Sequence, residues 1–363
     1  MGATVFPRHR AHGALLPQHE TRKRHMSRQF KVAVVGATGA VGETMLAILA
    51  ERKFPIGELV ALSSERSAGK EVACGRHEVV VQDLATFDPA GVDIALFSAG
   101  GDVSRQHAPR FAAAGAVVID NSSAFRMDDG VPLVVAEVNP DAARARPRGI
   151  IANPNCSTMQ MLVALAPIHR KAGIERLNIA TYQSVSGTGQ RALEELGRQT
   201  AGLLNFQAVE PEVYPVQIAF NVIPHGGDFT DNGYTSEEMK LVHETRKILG
   251  DDAIRVNATV VRVPVFYGHS EAVNVETRDK LGAADARALL MQAPGVEVVD
   301  EPVDGGYPTP VTHASGKDPV YVGRIRDDIS HPRGLNLWIV ADNIRKGAAL
   351  NAVQIAELVA AEG

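Results

Sequence analysis

Lys31-Val32-Ala33-Val34-Val35-Gly36-Ala37-Thr38-Gly39-Ala40-Val41-Gly42 joins a short β-branched run to a glycine-rich turn, and a helical stretch from Glu43 to Arg52 follows. Such a run suits a strand of a parallel sheet, covered on both faces. Met45, Leu46, Ile48 and Leu49 supply the buried face of the helix. Strand, glycine turn and helix in this order make an anion site, because glycine lets the backbone approach a pyrophosphate and the helix N-terminus faces its charge. The spacing is Gly-x-x-Gly-x-x-Gly, which by itself could serve only tight packing. Its place directly after the first strand points to a dinucleotide, with Gly36, Thr38, Gly39, Ala40 and Val41 as expected contacts.

Working outward, the second strand, Glu58–Leu62, should end over the adenosine ribose, where NAD enzymes place an acid and NADP enzymes place cations and hydroxyls. Ser63, Ser64, Arg66, Ser67 and Lys70 favour a 2′-phosphate and only Glu65 dissents, so NADP is the expected cofactor. Two more units follow: Asp93–Ser98 leads into Ala99-Gly100-Gly101 and a helix to Ala114, and Ala116–Asp120 leads into Asn121-Ser122-Ser123. Repeated strands ending in small or polar residues indicate a doubly wound, Rossmann-like sheet with ligands at the strands' carboxyl ends, Ser98 and Gly100 among the contacts.

Cys156 sits in Asn153-Pro154-Asn155-Cys156-Ser157-Thr158, ahead of an apolar segment from Met159 to Ile168. That places the thiol at a helix N-terminus, where unpaired N–H groups and the helix dipole should acidify it into a nucleophile. A small buried hydrophobe is the alternative for a lone cysteine. The other cysteine, Cys74, lacks a partner in its strand-like surroundings and reads as structural. Beyond Cys156 the pattern turns β-rich. Asn178–Ser186 alternates and ends at Gly187-Thr188-Gly189, and Asn257–Val265 alternates with Val261, Val263 and Val265 on one face and Arg262 on the other. These runs imply a mixed or antiparallel sheet in a second, α+β domain.

With 363 residues, roughly two domains are expected. A formal charge of −5 argues against general nucleic-acid binding. No apolar stretch reaches the roughly 18–20 residues needed to span a bilayer. Two cysteines cannot make a disulfide framework, which favours a reducing cytoplasm. No histidine–carboxylate cluster suggests a metal. Residues 1–29 carry six Lys/Arg against one acid, Glu20, and no secretory core; they read as a basic extension, disordered or contributed by an upstream start codon.

The chain resembles the bacterial aspartate-β-semialdehyde dehydrogenases from Lys31 onward. The matching stretches are Gly36–Gly42, Phe125-Arg126-Met127, Asn153–Thr158, Gln183 with Ser186-Gly187, Glu237-Glu238-Met239-Lys240, Arg262–Ser270 and Asp342–Ala349. The resemblance implies NADPH-dependent reduction of L-aspartyl 4-phosphate to the semialdehyde with release of phosphate, a step toward lysine, threonine, methionine and diaminopimelate. It makes Cys156 the nucleophile that carries a thioester and His269 the acid/base. Gln183 would orient substrate or the acyl intermediate, and Asn155 would help polarise the thioester carbonyl. It assigns Arg262 to the substrate α-carboxylate, Arg126 and Lys240 to the phosphate, Glu237 to the ammonium, and Ser186, Gly187 and Asn343 to the nicotinamide half of the cofactor. Without the resemblance, Glu237 and Lys240 would read as a surface ion pair on a helix opened by a Thr235/Glu238 capping box.

The implied organisation is an NADP-binding domain of residues 30–155 and 344–363 and a catalytic and dimerisation domain of residues 156–343. The C-terminal helix Leu350–Val359 would return to the first domain. Members are homodimers and some form tetramers. N-acetyl-glutamyl-phosphate reductase, a related enzyme, is the rival reading; Arg262 with Glu237 suits a free amino acid rather than an acetylated one. Cys156, Gln183 and His269 together argue against a non-catalytic NADP-binding protein.

Overall fold

The computed structural model describes residues 28–362. Residues 1–27 of the basic extension lie outside the described residues, whereas Arg28 already leads into the first strand and pairs with Asp93 at 2.7 Å.

The N-terminal part comprises β1 (Phe30–Val35), α1 (Ala40–Glu51), β2 (Ile56–Ser63), β3 (Glu71–Cys74), β4 (His77–Asp83), β5 (Ile94–Phe97), α2 (Gly101–Ala113), β6 (Val117–Asp120) and β7 (Ile150–Ala152). These strands form one sheet in the order β3-β4-β2-β1-β5-β6-β7, parallel except for the β3–β4 pair. The order reverses between β1 and β5, so a crevice opens beyond their carboxyl ends, where Gly36 and Ser98 sit. The expected double winding is visible residue by residue in β1. Phe30, Val32 and Val34 pack with α1, and Ala33 and Val35 pack with α2 and the next helix.

That next helix, α3 (Cys156–Ala172), is buried at every position from Ser157 to Ala166. A helix apolar on all sides needs partners all round, and α3 finds them between the two sheets. The second sheet uses β8 (Ile174–Gln183), β9 (Arg255–Arg262), β10 (His269–Thr277), β11 (Val296–Val298), β12 (Val320–Asp327) and β13 (Gly334–Ala341). Its order is β11-β12-β13-β10-β8-β9, with β8–β9 and β11–β12 parallel and the rest antiparallel, hence mixed as expected. Leu177, Ile179, Val273, Val275, Leu335 and Leu337 turn one face toward α3. The opposite face, with Tyr182 and Trp338 5.4 Å apart, carries no α-helix among the described residues; the short π-helical turn Pro310–Ala314 packs there, with Ala314 against Tyr321 and Val340. Helices α4 (Gln190–Leu204), α5 (Ser236–Leu249) and α6 (Ala283–Leu290) lie along the edges, and α7 (Asn351–Ala360) returns to the α1 side of the first sheet through Val353, Ile355 and Ala356.

Several boundaries differ from expectation. Helix α1 starts at Ala40 rather than Glu43, capped by Gly39. β8 ends at Gln183, and Val185–Thr188 forms a 3₁₀ turn, because Val185 and Ser186 N–H donate to the carbonyls of Val265 and Phe266 instead of continuing the ladder. β9 stops at Arg262, ahead of Pro264. Arg262 does lie opposite Val261, and its face, with Ala258 and Val260, is the buried one.

Leu162 is fully buried at the middle of α3. Leu162→Ala should cost about 2–5 kcal/mol in urea unfolding; a loss below about 1 kcal/mol would show that α3 is not packed from both sides.

Candidate active site

The site forms where the start of α3 meets the ends of three strands in the second sheet. Gln183 and Arg262 are register partners at the ends of parallel β8 and β9, and antiparallel β10 begins there with His269. Cys156 opens α3 after an extended Pro154-Asn155 approach, and Asn155 caps it: Oδ1 accepts from Ser157 N at 3.0 Å and Thr158 N at 3.4 Å. The cap commits that oxygen, and Nδ2 reaches Glu237 Oε1 at 3.5 Å. The visible work of the Asn155 amide is therefore to shape the helix start. A Cβ on Gly347 would stand 2.7 Å from Cys156 Cβ, so only glycine lets that segment close on the nucleophile.

The position of Cys156 agrees with the sequence reading; its ionisation does not. Burial and then the Glu237 carboxylate push the thiol up to about 11, outweighing Arg262, Arg126 and the Ser157 N–H. Asn155 Oδ1 shares the Ser157 N–H and takes that of Thr158, which weakens the helix start's pull on a thiolate. Cys74 behaves as expected: buried, its thiol pushed up by burial, and donating to Leu46 O at 3.3 Å.

Three buried side chains stand behind Cys156. Gln183 Nε2 donates to Ser157 Oγ at 3.0 Å, while its Oε1 has no protein partner. Arg262 Nη1 donates to Ser184 O at 2.9 Å, Nη2 lies 3.8 Å from Glu237 Oε2, and Nε has no protein partner. Glu237 thus faces Arg262 and not Lys240, which corrects the surface-pair alternative, although the Thr235/Glu238 capping box does form. His269 Nδ1 accepts from Ser184 N at 3.0 Å, which places the proton of the neutral ring on Nε2. Burial, and then Arg262, hold the imidazole well below its ordinary value. Nε2 has no protein partner and lies 3.3 Å from where a Cβ on Gly187 would be.

One cleft of about 650 Å³ gathers Gly39, Ala40, Val41, Ser98, Gly100, Arg126, Asn155, Cys156, Ser186, Gly187, Glu237, Lys240 and Asn343. An adjoining cleft of about 550 Å³ shares Gly39 and Ser98 and adds Gly36, Thr38 and Ser63. Gln183, Arg262 and His269 lie behind the cleft wall, and Arg66 and Ser67 border neither cleft. Arg66 is exposed on the 3₁₀ turn Glu65–Ser67, just past the end of β2.

The residues fit a dinucleotide. Gly36 has φ +84°, and a Cβ there would come within 3.0 Å of Ser98 and Ala99. A Cβ on Gly42 would overlap Gly36 O at 2.2 Å. Helix α1 has no side-chain cap at Gly39, so no cap side chain claims its first-turn N–H groups where they meet the cleft. Thr38 Oγ1 lies 3.0 Å from Ser63 Oγ at the ribose end. At the other end Asn343 Oδ1 accepts from Gly268 N at 2.9 Å and Asn343 Nδ2 donates to Ser186 Oγ at 2.9 Å.

Sequence reasoning did not single out Ser157, Ser184, Glu244 or Gly347 as site residues. Glu244 carried a legible signal, since Glu237, Lys240, Glu244 and Lys247 recur at helical spacing along one stripe of α5.

In the ligand-free protein, alkylation of Cys156 by iodoacetamide should rise with pH toward a midpoint of about 11. Glu237→Gln removes a negative charge that disfavours the thiolate, so its midpoint should fall. A wild-type midpoint below about 8.5, the ordinary thiol value, would contradict this electrostatic picture.

Two family models together match most of the chain. Residues 31–146 match the model of the semialdehyde dehydrogenase NAD binding domain, and residues 165–346 match that of the semialdehyde dehydrogenase dimerisation domain. The chain is 61% identical to aspartate-semialdehyde dehydrogenase of Legionella pneumophila, across 93% of this chain and 97% of that one. It is similar to the crystal structure of Vibrio cholerae aspartate semialdehyde dehydrogenase II complexed with ASA, with TM-score 0.91 and 57% identity over 93% of this chain and 99% of that one. The Candida albicans enzyme, solved with NADP, superposes with TM-score 0.70 at 25% identity over 92% and 98% of the two chains. The chain belongs to the aspartate-semialdehyde dehydrogenase family.

Proposed function

We propose that this protein reduces L-aspartyl 4-phosphate to L-aspartate 4-semialdehyde and phosphate through a thioester on Cys156. The observation that carries the reading is the placement of Cys156 in one cleft with the uncapped start of α1, Arg126, Lys240 and Glu237, the last paired with the buried Arg262. A zwitterionic amino acid bearing an acyl phosphate presents charges complementary to both sets. Arg262 takes the α-carboxylate through Nε and Nη2, Glu237 takes the ammonium, and Arg126 and Lys240 take the phosphate.

The thiol is protonated at rest, so it must lose its proton as Sγ attacks the acyl carbon. The resting tautomer carries its proton on Nε2, so His269 takes the thiol proton at Nε2 once the ring proton has moved to Nδ1, where it needs an acceptor. Ser184 Oγ, 3.1 Å from Nδ1 and 3.0 Å from Asn343 Oδ1, supplies one. The C–O bond to phosphate then breaks and leaves the thioester. Gln183 holds the acyl group without adding charge. Gly36, Thr38, Gly39, Ala40 and Val41 would hold the phosphates of NADPH, Ser63, Arg66 and Ser67 its ribose end, Ser98 and Gly100 its middle, and Ser186, Gly187 and Asn343 its nicotinamide, which would supply a hydride to the thioester carbon. In the collapse that follows, His269 exchanges the proton and Sγ leaves the aldehyde carbon.

The division into residues 30–155 with 344–363 and residues 156–343 belongs to the same reading, as do a homodimer and a cytoplasmic setting. The α-helix-free face of the second sheet around Tyr182 and Trp338 supports the dimer, and two free cysteines support the setting.

Phosphate-dependent NADP reduction with aspartate semialdehyde tests the activity. Cys156→Ala should lower kcat by about 10⁴-fold or more, and unchanged turnover would reject covalent catalysis. Arg262→Lys should lower kcat/KM by roughly 10–100-fold, mainly through KM, because the fork geometry is lost; intact kcat and KM would remove its assigned role. Arg66→Ala should impair use of NADPH more than NADH, and equal impairment would remove the 2′-phosphate contact. Preference for an N-acetylglutamyl substrate would overturn the substrate assignment.

A further inference from the structure

Arg126 lines the cleft yet is 8% exposed, and its guanidinium is already held on three sides. Nε donates to Asn153 O at 2.9 Å, Nη2 to Asn121 O at 3.0 Å and Nη1 to Glu244 Oε1 at 3.0 Å. A guanidinium carries five N–H donors, so each terminal nitrogen keeps one N–H that these three acceptors do not take.

Glu244, on α5, is 1% exposed, and Arg126 is its ion-pair partner among the described residues. Its second oxygen, Oε2, accepts the backbone N–H of Asn155 at 2.7 Å, one residue ahead of the nucleophile. One turn further along, Lys247 Nζ donates to Arg126 O at 2.6 Å, so α5 grips this residue at both its side chain and its backbone. A buried carboxylate with both oxygens committed in this way fixes the distance between what it holds.

We infer that Glu244 is a positioning residue that locks the anion-facing fork of Arg126 in register with the start of the nucleophile helix, so that phosphate is held where Cys156 can displace it or be displaced by it. The inference rests on the reading of Arg126 as a phosphate ligand. An amide in place of the carboxylate keeps the shape but can accept from only one of the two partners through its oxygen. Glu244→Gln therefore breaks the link without emptying the site.

The test uses full-length protein in the phosphate-dependent direction, with wild type, Glu244→Gln, Arg126→Gln and the double variant. Glu244→Gln should raise the KM for inorganic phosphate by about tenfold or more, lower kcat by less than about threefold and leave the KM for NADP unchanged. In the Arg126→Gln background it should alter the phosphate KM by less than about twofold, because the residue it acts through is gone. A uniform loss of kcat with unchanged phosphate KM, or a full effect in the Arg126→Gln background, would overturn the inference. If Arg126→Gln raises the phosphate KM and Glu244→Gln does not, the inference fails and the phosphate reading stands. If Arg126→Gln leaves the phosphate KM unchanged, the phosphate reading fails and takes the inference with it. Should the Gln variant not fold, Glu244→Asp, which keeps both acceptors but shortens their reach, should show the same rise in phosphate KM; wild-type phosphate KM there would overturn the inference.

Discussion

From Ser157 to Ala166 helix α3 has no solvent face, and the chemistry depends on that confinement. Because Ser157–Ala166 are gripped by both sheets, the start of the helix cannot drift relative to the strand ends that carry Gln183, Arg262 and His269. The same packing brings the start of α1 and the start of α3 to one cleft. A site assembled from such ends is positioned by core packing and not by loops, which is what a near-attack geometry requires. The close approach of Gly347 to Cys156 carries the constraint to the C-terminal return, where Lys346 pairs with Glu137 at 2.6 Å in the interior.

Confinement also sets the electrostatics. The thiol and the imidazole both rest neutral because burial penalises their charged forms. Each of the two buried guanidiniums has a carboxylate nearby, Glu237 for Arg262 and Glu244 for Arg126. The two pairs differ. Arg126–Glu244 is close and shares further backbone partners, so it is a fixture. Arg262–Glu237 is open at 3.8 Å, and Arg262 Nε still has no protein partner, which is the opening that the proposed zwitterion would use.

Much of this was legible in the sequence, and the reasons are local. Gly36, Gly39 and Gly42 are demanded by backbone contacts within one turn, and the capping of α3 by Asn155 is complete within four residues. The ionisation of Cys156 was misread because it depends on Glu237, a residue from a distant helix, and on burial. The ends of β8 and β9 were placed too late because Val185 and Ser186 bond to Val265 and Phe266, a tertiary pairing that bends both segments around His269. The α5 stripe was half seen. Its first two members matched a family motif, and Glu244 and Lys247 lay beyond that motif although helical spacing alone aligns them.

The central claim is a covalent one, and mass spectrometry of the protein quenched during single turnover with acyl phosphate, in the absence of NADPH, addresses it directly. The account predicts an aspartyl adduct, labile to hydroxylamine, on the peptide that contains Cys156. Substrate consumption in competent protein with that peptide unmodified at every time point would contradict it.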